Sequence, residues 1–332
     1  MDPARPDGAL PLAGGWAWWA LAEELTRDGA ARLIPAADVP WPVRRRLSAP
    51  RPAIAGLGFD RPRLMGILNT TPDSFSDGGQ YDSPESAIRH GRALAGAGAD
   101  IIDIGGESTR PGAETVPPGQ ETDRTAPVIK KLREAGLTIP VSIDTRKAPV
   151  AQAALAAGAD IINDVSGLTH DPAMARVASD TGAGLCIMHA RGAPKTMQDN
   201  PYYNNVLLDI YDHLERQVAA AAAAGIRRDR IIVDPGIGFG KTIGHNVALV
   251  RNISLFHGLG CPVLLGVSRK GFIGVIGHAR TVAARGPGSV ALGLAGLGQG
   301  VQILRVHDVA DTRQAVALWQ AANGVKGGGD DY

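Results

Sequence analysis

The chain has 332 residues, of which 44% are hydrophobic and 5% aromatic, so it can form one large domain or two ordinary ones around an aliphatic core. Its 34 basic and 33 acidic residues leave a formal charge of +1, which gives no reason to expect nucleic acid or an anionic membrane as a partner. The cysteines, Cys186 and Cys261, lie beside strand-like runs without metal-ligand spacing. We therefore expect buried thiols in a reducing compartment, the cytoplasm.

The N-terminal segment, residues 1–62, is rich in Pro, Ala and Arg and carries no recognisable chemistry. We predict an extension that folds onto the main body or is partly loose, with one helix at about 18–27. The apolar stretch 11–22 has acidic residues on both sides, which argues against a secretion signal. No later apolar run reaches membrane-spanning length without interruption, so a membrane protein is not expected.

From Arg63 onward, apolar runs of strand length alternate with Ala- and Leu-rich stretches of helical character. The runs lie at 64–68, 100–105, 139–144, 160–165, 184–188, 230–235, 262–267 and 301–306. Helices are predicted between most of them, for example at 83–97, 149–157 and 207–224. Eight strand–helix units in residues 63–332 predict an α/β fold, a (β/α)8 TIM barrel with its site at the C-terminal ends of the strands. The alternative is a doubly wound open sheet, but no G-x-G-x-x-G follows the first run.

Three polar residues, Asp144, Asn163 and Asp234, occupy comparable depths at the ends of otherwise apolar runs. A buried carboxylate without a partner is strongly unfavourable. The barrel mouth is therefore expected to hold a ligand rich in N–H donors or a metal. The alternative is a stability network, in which these acids pair with Lys270, Arg146 and Arg305.

An anion site is indicated by Asn69, Asp77, Arg110, Arg305 and His307. Arg305 and His307 are two residues apart on one predicted strand, so they project to the same side and can jointly face a phosphate. An asparagine and a carboxylate nearby suit Mg²⁺, which prefers oxygen ligands and retains water and phosphate oxygens in its shell.

The segment from Gly236 to Thr242 resembles a P-loop, but that pattern requires glycine where Pro235 stands. The glycines of this segment are expected instead to let the backbone approach a flat ligand beside Phe239. Lys241 is ambiguous, because a solvated loop lysine and a ligand-binding lysine are both compatible with the sequence.

Eight motifs, one at each predicted strand, resemble the dihydropteroate synthase family from residue 63 to about 320. They are NTTPDSFSDGG at 69–79, DIGGESTRPG at 103–112, SIDT at 142–145, INDVSG at 162–167, MH at 188–189, DPGIGFGK at 234–241, SRK at 268–270 and RVH at 305–307. The resemblance implies a folate-biosynthesis transferase that joins 6-hydroxymethyl-7,8-dihydropterin diphosphate to p-aminobenzoate and releases diphosphate. It also implies Mg²⁺ as cofactor and a homodimer formed through barrel helices near the C-terminal end. Because an aryl amine needs no strong base and the charges of the site would act on the leaving diphosphate, we expect an SN1-like displacement.

The resemblance further implies roles for individual side chains. Those implied to bind the pterin are Asp144, Asn163, Met188, Asp234, Phe239, Lys270 and Arg305. Those implied to bind diphosphate are Asn69, Arg305 and His307, and Asn69 and Asp77 are implied to hold Mg²⁺. Those implied to form the p-aminobenzoate pocket are Phe75, Thr109, Arg110, Pro111 and Ser268. Those implied to act in catalysis are Lys270, Arg305, His307 and Asp144.

Two alternatives share the pterin-binding residues. The first is a methyltransferase domain that moves a methyl group from methyltetrahydrofolate to a corrinoid partner, which would not need the segments 109–111 and 268–270. The second is a non-catalytic paralogue, from which loop groups would be missing. Departures from the family's usual wording at Thr70, Ala190-Arg191 and Gly271-Phe272 leave details of the substrate pocket and sulfonamide sensitivity open.

Overall fold

The fold is a closed barrel of eight parallel strands. The computed structural model describes residues 5–29, 31–70, 84–108, 113–192 and 196–325. The strands are β5 (Arg63–Asn69), β6 (Ile101–Gly105), β7 (Val141–Asp144), β8 (Ile161–Asp164), β9 (Gly184–Met188), β10 (Ile231–Asp234), β11 (Leu264–Leu265) and β12 (Ile303–Val306). They pair in the order β10-β9-β8-β7-β6-β5-β12-β11, and a parallel bridge from Val233 to Val263 joins the two outer strands. The predicted TIM barrel is confirmed, with a strand in every predicted run.

Helices follow the strands and cover the outside of the barrel. They are α2 (Pro84–Gly96), α3 (Pro118–Glu134), α4 (Ala148–Ala156), α5 (Met174–Thr181), α6 (Val206–Ala223), α7 (Ile243–Arg251), α8 (Gly271–Ile276), α9 (Gly286–Gly298) and α10 (Val309–Ala322). Buried aliphatic side chains such as Leu64, Ile102 and Ile129 fill the layer between strands and helices. Each strand is therefore buried on both faces, which explains why it reads as an uninterrupted apolar run. No described helix is both long and apolar enough to cross a membrane.

The predicted helix at 18–27 is wrong, because this stretch forms strands. Short strands β1 (Leu10–Pro11) and β2 (Trp18–Trp19) pair with each other, and β3 (Leu21–Leu25) pairs antiparallel with β4 (Ala31–Pro35). Gly29, with φ of +84°, lies in the connection between β3 and β4, where a positive φ favours glycine. The one α-helix of this region, among the described residues, comes later, as α1 (Trp41–Ser48).

Residues of the N-terminal segment contact the barrel directly. The indole Nε1 of Trp16 donates to the carbonyl of Leu297 in α9 (2.8 Å), and Arg51 donates to the carbonyl of His257 (3.0 Å). Ile54 and Phe59 pack on the apolar side chains at the N-terminal end of the barrel interior. The segment thus closes the end of the barrel opposite to the expected site. The division into an extension 1–62 and a barrel 63–332 stays a prediction.

Candidate active site

The alternation of side chains along the strands places a mostly polar ring above an apolar layer. The apolar layer inside the barrel contains Met65, Ile101, Ile161, Cys186, Ile232, Leu264 and Ile303. Two residues further along five of these strands, the same inward face carries Asp103, Asn163, Met188, Asp234 and Arg305. We call this set, together with Asp144 at the end of β7, the mouth ring. It lies at the C-terminal ends of the strands, as expected for a TIM-barrel site.

Arg305 joins two carboxylates of the mouth ring. Its Nε donates to Asp103 Oδ2 (2.6 Å) and its second terminal nitrogen donates to Asp144 Oδ2 (2.6 Å). Asn163 Nδ2 also donates to Asp103 Oδ2 (3.1 Å). Burial opposes the charge on Arg305, yet the two carboxylates outweigh it and hold the pKa of Arg305 above its ordinary value. The guanidinium plane is therefore fixed across the mouth of the barrel.

The surroundings of Asp144 disfavour the ionised form of its carboxyl group. Burial raises the pKa of Asp144 above that of an ordinary aspartate, the charge of Arg305 opposes the rise, and the charge of Asp103 adds to it. Asp103 is completely buried, and its Oδ1 has no hydrogen-bond partner among the described residues. Buried acceptors of this kind favour a ligand that brings N–H donors.

Asn69 lies beside this ring at the end of β5. A Cβ placed on Gly105 would be 3.7 Å from Asn69 Oδ1 and 3.8 Å from Asp144 Oδ2, so both oxygens lie over the same glycine. The described residues contain no group of three or more His, Cys, Asp or Glu that could hold a metal ion. Mg²⁺ commonly takes one or two protein oxygens and completes its shell with water and phosphate. Asn69 fits such a site, whereas its predicted companion Asp77 lies outside the described residues.

The opposite side of the ring is built around Asp234. Its Oδ1 accepts from the backbone N–H of Gly236 (2.7 Å). Burial raises the pKa of Asp234, while this hydrogen bond and the charge of Lys270 oppose the rise. The Lys270 ammonium lies 4.1 Å from the centroid of the Phe239 ring, a cation–π contact. This side of the mouth therefore offers an acceptor, a donor and an aromatic face together.

The glycines after β10 allow close contact between two loops. Gly236 has φ of +69°, and a Cβ there would lie 1.9 Å from the carbonyl oxygen of His189; at Gly240, with φ of +63°, it would lie 2.3 Å from that of Arg191. The backbone that these glycines admit is the segment following β9. The expectation that they let backbone approach a flat ligand stays a prediction.

Lys241 is buried, so the interpretation as a solvated loop lysine is wrong. Its Nζ lies 2.9 Å from His189 Nδ1 and bonds the carbonyl oxygens of Phe239 (2.9 Å) and His189 (3.3 Å). Burial lowers the pKa of Lys241, and burial followed by the charge of Lys241 lowers the pKa of His189 to about 2. Lys241 thus ties the loop carrying Phe239 to the end of β9.

Ser268 and His307 meet at the ends of β11 and β12. Ser268 Oγ lies 2.9 Å from His307 Nδ1 and accepts the backbone N–H of His307 (3.1 Å). The remaining predicted site residues lie outside the described residues; they are Phe75, Asp77, Thr109, Arg110 and Pro111.

One pairing, that of Arg146, differs from the expected stability network. Arg305 does pair with the aspartates, but Arg146 instead donates to Glu107 Oε1 (3.0 Å). Glu107 also accepts from Lys147 (2.6 Å). Asp103 received no binding or catalytic role from the sequence, although the two-residue period from Ile101 identifies it as an inward side chain.

The chain is similar to a known protein family, to curated relatives and to solved structures. The family described as Pterin binding enzyme matches residues 65–307. A dihydropteroate synthase of Neisseria meningitidis serogroup C is 46% identical over 268 residues, which are 80% of this chain and 94% of the relative. The structure of Xanthomonas albilineans dihydropteroate synthase with 4-aminobenzoic acid is 45% identical, covers 83% of this chain and 99% of its own, and has a TM-score of 0.77. The same enzyme in complex with 7,8-dihydropteroate matches with 42% identity, 83% and 100% coverage and a TM-score of 0.75.

Proposed function

This chain belongs to the dihydropteroate synthase family, and we propose that it condenses 6-hydroxymethyl-7,8-dihydropterin diphosphate with p-aminobenzoate to give 7,8-dihydropteroate and diphosphate. The observation that carries the proposal is the mouth ring, in which buried acid and amide groups surround a fixed guanidinium. The two Xanthomonas albilineans structures support it, since they hold 4-aminobenzoic acid and 7,8-dihydropteroate. The 46% identity with the Neisseria meningitidis enzyme over most of both chains supports the same reaction.

The pterin is proposed to lie in the mouth ring with its N–H edge toward the carboxylates. Asp144, Asn163 and Asp234 are buried acceptors, and a reduced pterin offers several N–H donors and a carbonyl. The Lys270 ammonium lies over the Phe239 ring, and it donates hydrogen bonds to the acceptors of the pterin. Arg305 stacks its plane on the ring, which suits a planar group that stays charged, and Met188 and Phe239 line the pocket.

The other two ligands are proposed to lie toward β5, β11 and β12. Asn69, Arg305 and His307 bind diphosphate. Ser268, bonded to His307, contacts p-aminobenzoate together with Phe75, Thr109, Arg110 and Pro111. When bound by Asn69 and Asp77, Mg²⁺ supplies positive charge to the diphosphate.

The proposed reaction breaks the bond between the pterin methylene carbon and the diphosphate oxygen, and diphosphate leaves with the electron pair. Arg305 and His307 stabilise the negative charge on the departing oxygens. Asp144 and Asp234 face the dihydropterin, which takes up the positive charge of the methylene. The amine of p-aminobenzoate then forms the carbon–nitrogen bond and loses one proton to solvent. An aryl amine needs no strong base, so fixed charges rather than a basic side chain carry the catalysis.

A homodimer and a cytoplasmic location belong to the same proposal. The dimer is supported by the family resemblance, and the location by the buried free thiols of Cys186 and Cys261. Light scattering of the purified protein should give twice the monomer mass of 34.5 kDa. A monomeric mass at micromolar concentration would contradict the dimer.

The decisive measurement is formation of diphosphate and dihydropteroate by purified protein with both substrates and Mg²⁺. Lys270→Ala and Asp234→Asn are expected to lower kcat/KM at least a hundredfold, because each removes a charged contact to the pterin. Lys130→Ala is the matched control, since its side chain is 71% exposed on α3. Tight pterin binding without product would contradict the proposal and favour the methyltransferase or the non-catalytic alternative.

A further inference from the structure

Arg269 occupies a backbone conformation that is unusual for its residue type. Its φ is +56°, a left-handed value that is unfavourable for a residue with a Cβ. The backbone N–H of Lys270 bonds the carbonyl of Val267 (3.3 Å), so Arg269 is the third residue of a β-turn. That position favours glycine when φ is positive. The arginine side chain makes contacts here that glycine could not make.

The side chain of Arg269 forms a two-pronged ion pair with Asp308. Its Nε donates to Asp308 Oδ2 (3.1 Å), and a terminal nitrogen pairs with Asp308 Oδ1. The backbone of Arg269 is held as well, since its N–H donates to Ser289 Oγ (2.8 Å) and its carbonyl accepts from Arg285 (3.1 Å). Bidentate arginine–carboxylate pairs fix orientation as well as distance, so the turn is locked from several directions.

Both partners of this ion pair adjoin residues of the proposed site. Arg269 lies between Ser268 and Lys270, and Asp308 directly follows His307. Ser268 bonds His307, so the ion pair and this hydrogen bond connect the same two strand ends, β11 and β12. The turn at Arg269 also leads directly to Lys270, whose ammonium lies over Phe239.

We propose that Arg269 and Asp308 are a positioning pair, which holds the strained turn so that Ser268 reaches His307 while Lys270 reaches the pterin pocket. This inference rests on the proposed function. In this proposal, neither Arg269 nor Asp308 touches a substrate. They act through their neighbours, by setting the distance between the p-aminobenzoate and diphosphate contacts.

Arg269→Gly separates positioning from strain, because glycine adopts the same φ without cost while the ion pair is lost. We expect a melting temperature close to that of the wild type, but at least a tenfold fall in kcat/KM for p-aminobenzoate. Binding of 6-hydroxymethyl-7,8-dihydropterin should weaken as well, because Lys270 follows Arg269 in the turn, but less than in Lys270→Ala, since Asp144, Asn163 and Asp234 are untouched.

Asp308→Asn should reproduce the loss, and the double variant should be no worse than threefold below either single one, because both changes remove the same contact. Arg227→Gln and Asp229→Asn are matched controls. They break a similar two-pronged ion pair in the connection before β10. In it, Arg227 Nε donates to Asp229 Oδ1 (3.0 Å) and a terminal nitrogen of Arg227 donates to Asp229 Oδ2. They should leave kcat/KM unchanged.

Arg269→Gly with wild-type kcat/KM would overturn the proposal, as would multiplicative losses in the double variant. A crystal structure of Arg269→Gly provides a test that does not need turnover. We expect the 2.9 Å contact between Ser268 and His307 to lengthen beyond hydrogen-bond range, and an unchanged contact would refute the positioning role. If the wild type forms no dihydropteroate, the proposed function fails, while this distance still decides the role of Arg269.

Discussion

Asp103→Asn tests whether the buried carboxylate orients Arg305. The substitution keeps the shape of the side chain but removes the charge that accepts from Arg305 Nε (2.6 Å) and Asn163 Nδ2 (3.1 Å). Hydrogen bonds to charged groups contribute about 1.5–3 kcal/mol, and Arg305 retains Asp144 as a second partner. We therefore expect a loss of about 2–3 kcal/mol in transition-state stabilisation, a fall of roughly 30- to 160-fold in kcat/KM for the pterin substrate.

The assay follows diphosphate release at varied pterin concentration, together with thermal unfolding. Asp100→Asn is the matched control. Asp100 is also buried and accepts from Arg61 (2.8 Å) and from the backbone N–H of Leu64 (2.9 Å), at the N-terminal end of the barrel. The control should lower the melting temperature and change kcat/KM less than threefold, because it lies far from the strand ends that carry the mouth ring.

The reasoning is refuted if Asp103→Asn loses stability as Asp100→Asn does but keeps kcat/KM within threefold of the wild type. In that case Asp144 alone orients Arg305, and Asp103 serves only to stabilise the barrel.

Two further predictions concern the far side of the mouth and its pH dependence. Lys241→Met should raise the KM for the pterin substrate about tenfold, because the carbonyl of Phe239 loses its donor; Lys130→Met is the exposed control, and equal KM values for both variants would contradict this anchoring. Burial raises the pKa of Asp144 and Asp234, so on acidification they protonate at a higher pH than the ~3.9 of an exposed aspartate. Since protonation removes the negative charge and turns one acceptor oxygen into an O–H donor, log kcat/KM should fall as the pH is lowered, with its midpoint above that value. A midpoint at or below it would count against these assignments.

The barrel could be predicted from the sequence because its strands are buried on both faces. Runs such as 64–68 and 184–188 are apolar without interruption, and each ends in polar residues that the strand direction brings to one end. The structure bears out this arrangement in β5 and β9. Local periodicity could not settle residues 18–27, since their strands depend on pairing with residues elsewhere in the chain.

Individual site residues were harder to predict when depth or distant contacts decided their role. Asp103 lies in the motif at 103–112 but received no role from the sequence, because its contacts to Asn163 and Arg305 come from residues far along the chain. Lys241 looks like a loop lysine in sequence, and only the position of His189 after β9 shows that it is buried. Likewise, nothing local to Arg269 indicates that Asp308 compensates for its backbone strain.

The charges of the mouth are consistent with a site that stabilises a cation. Asp103, Asp144 and Asp234 face Arg305 and Lys270, so the carboxylates outnumber the two cations when all are ionised. Burial is the main cause that raises the pKa of Asp144 and Asp234, so keeping both carboxylates ionised is unfavourable without a ligand. A bound pterin stabilises these carboxylates, because it donates N–H groups to them and develops positive charge at its methylene. This stabilisation grows as the charge develops, so it lowers the barrier to breaking the carbon–oxygen bond. The buried carboxylates of the mouth ring, which are unfavourable in the free protein, would thereby favour departure of the diphosphate.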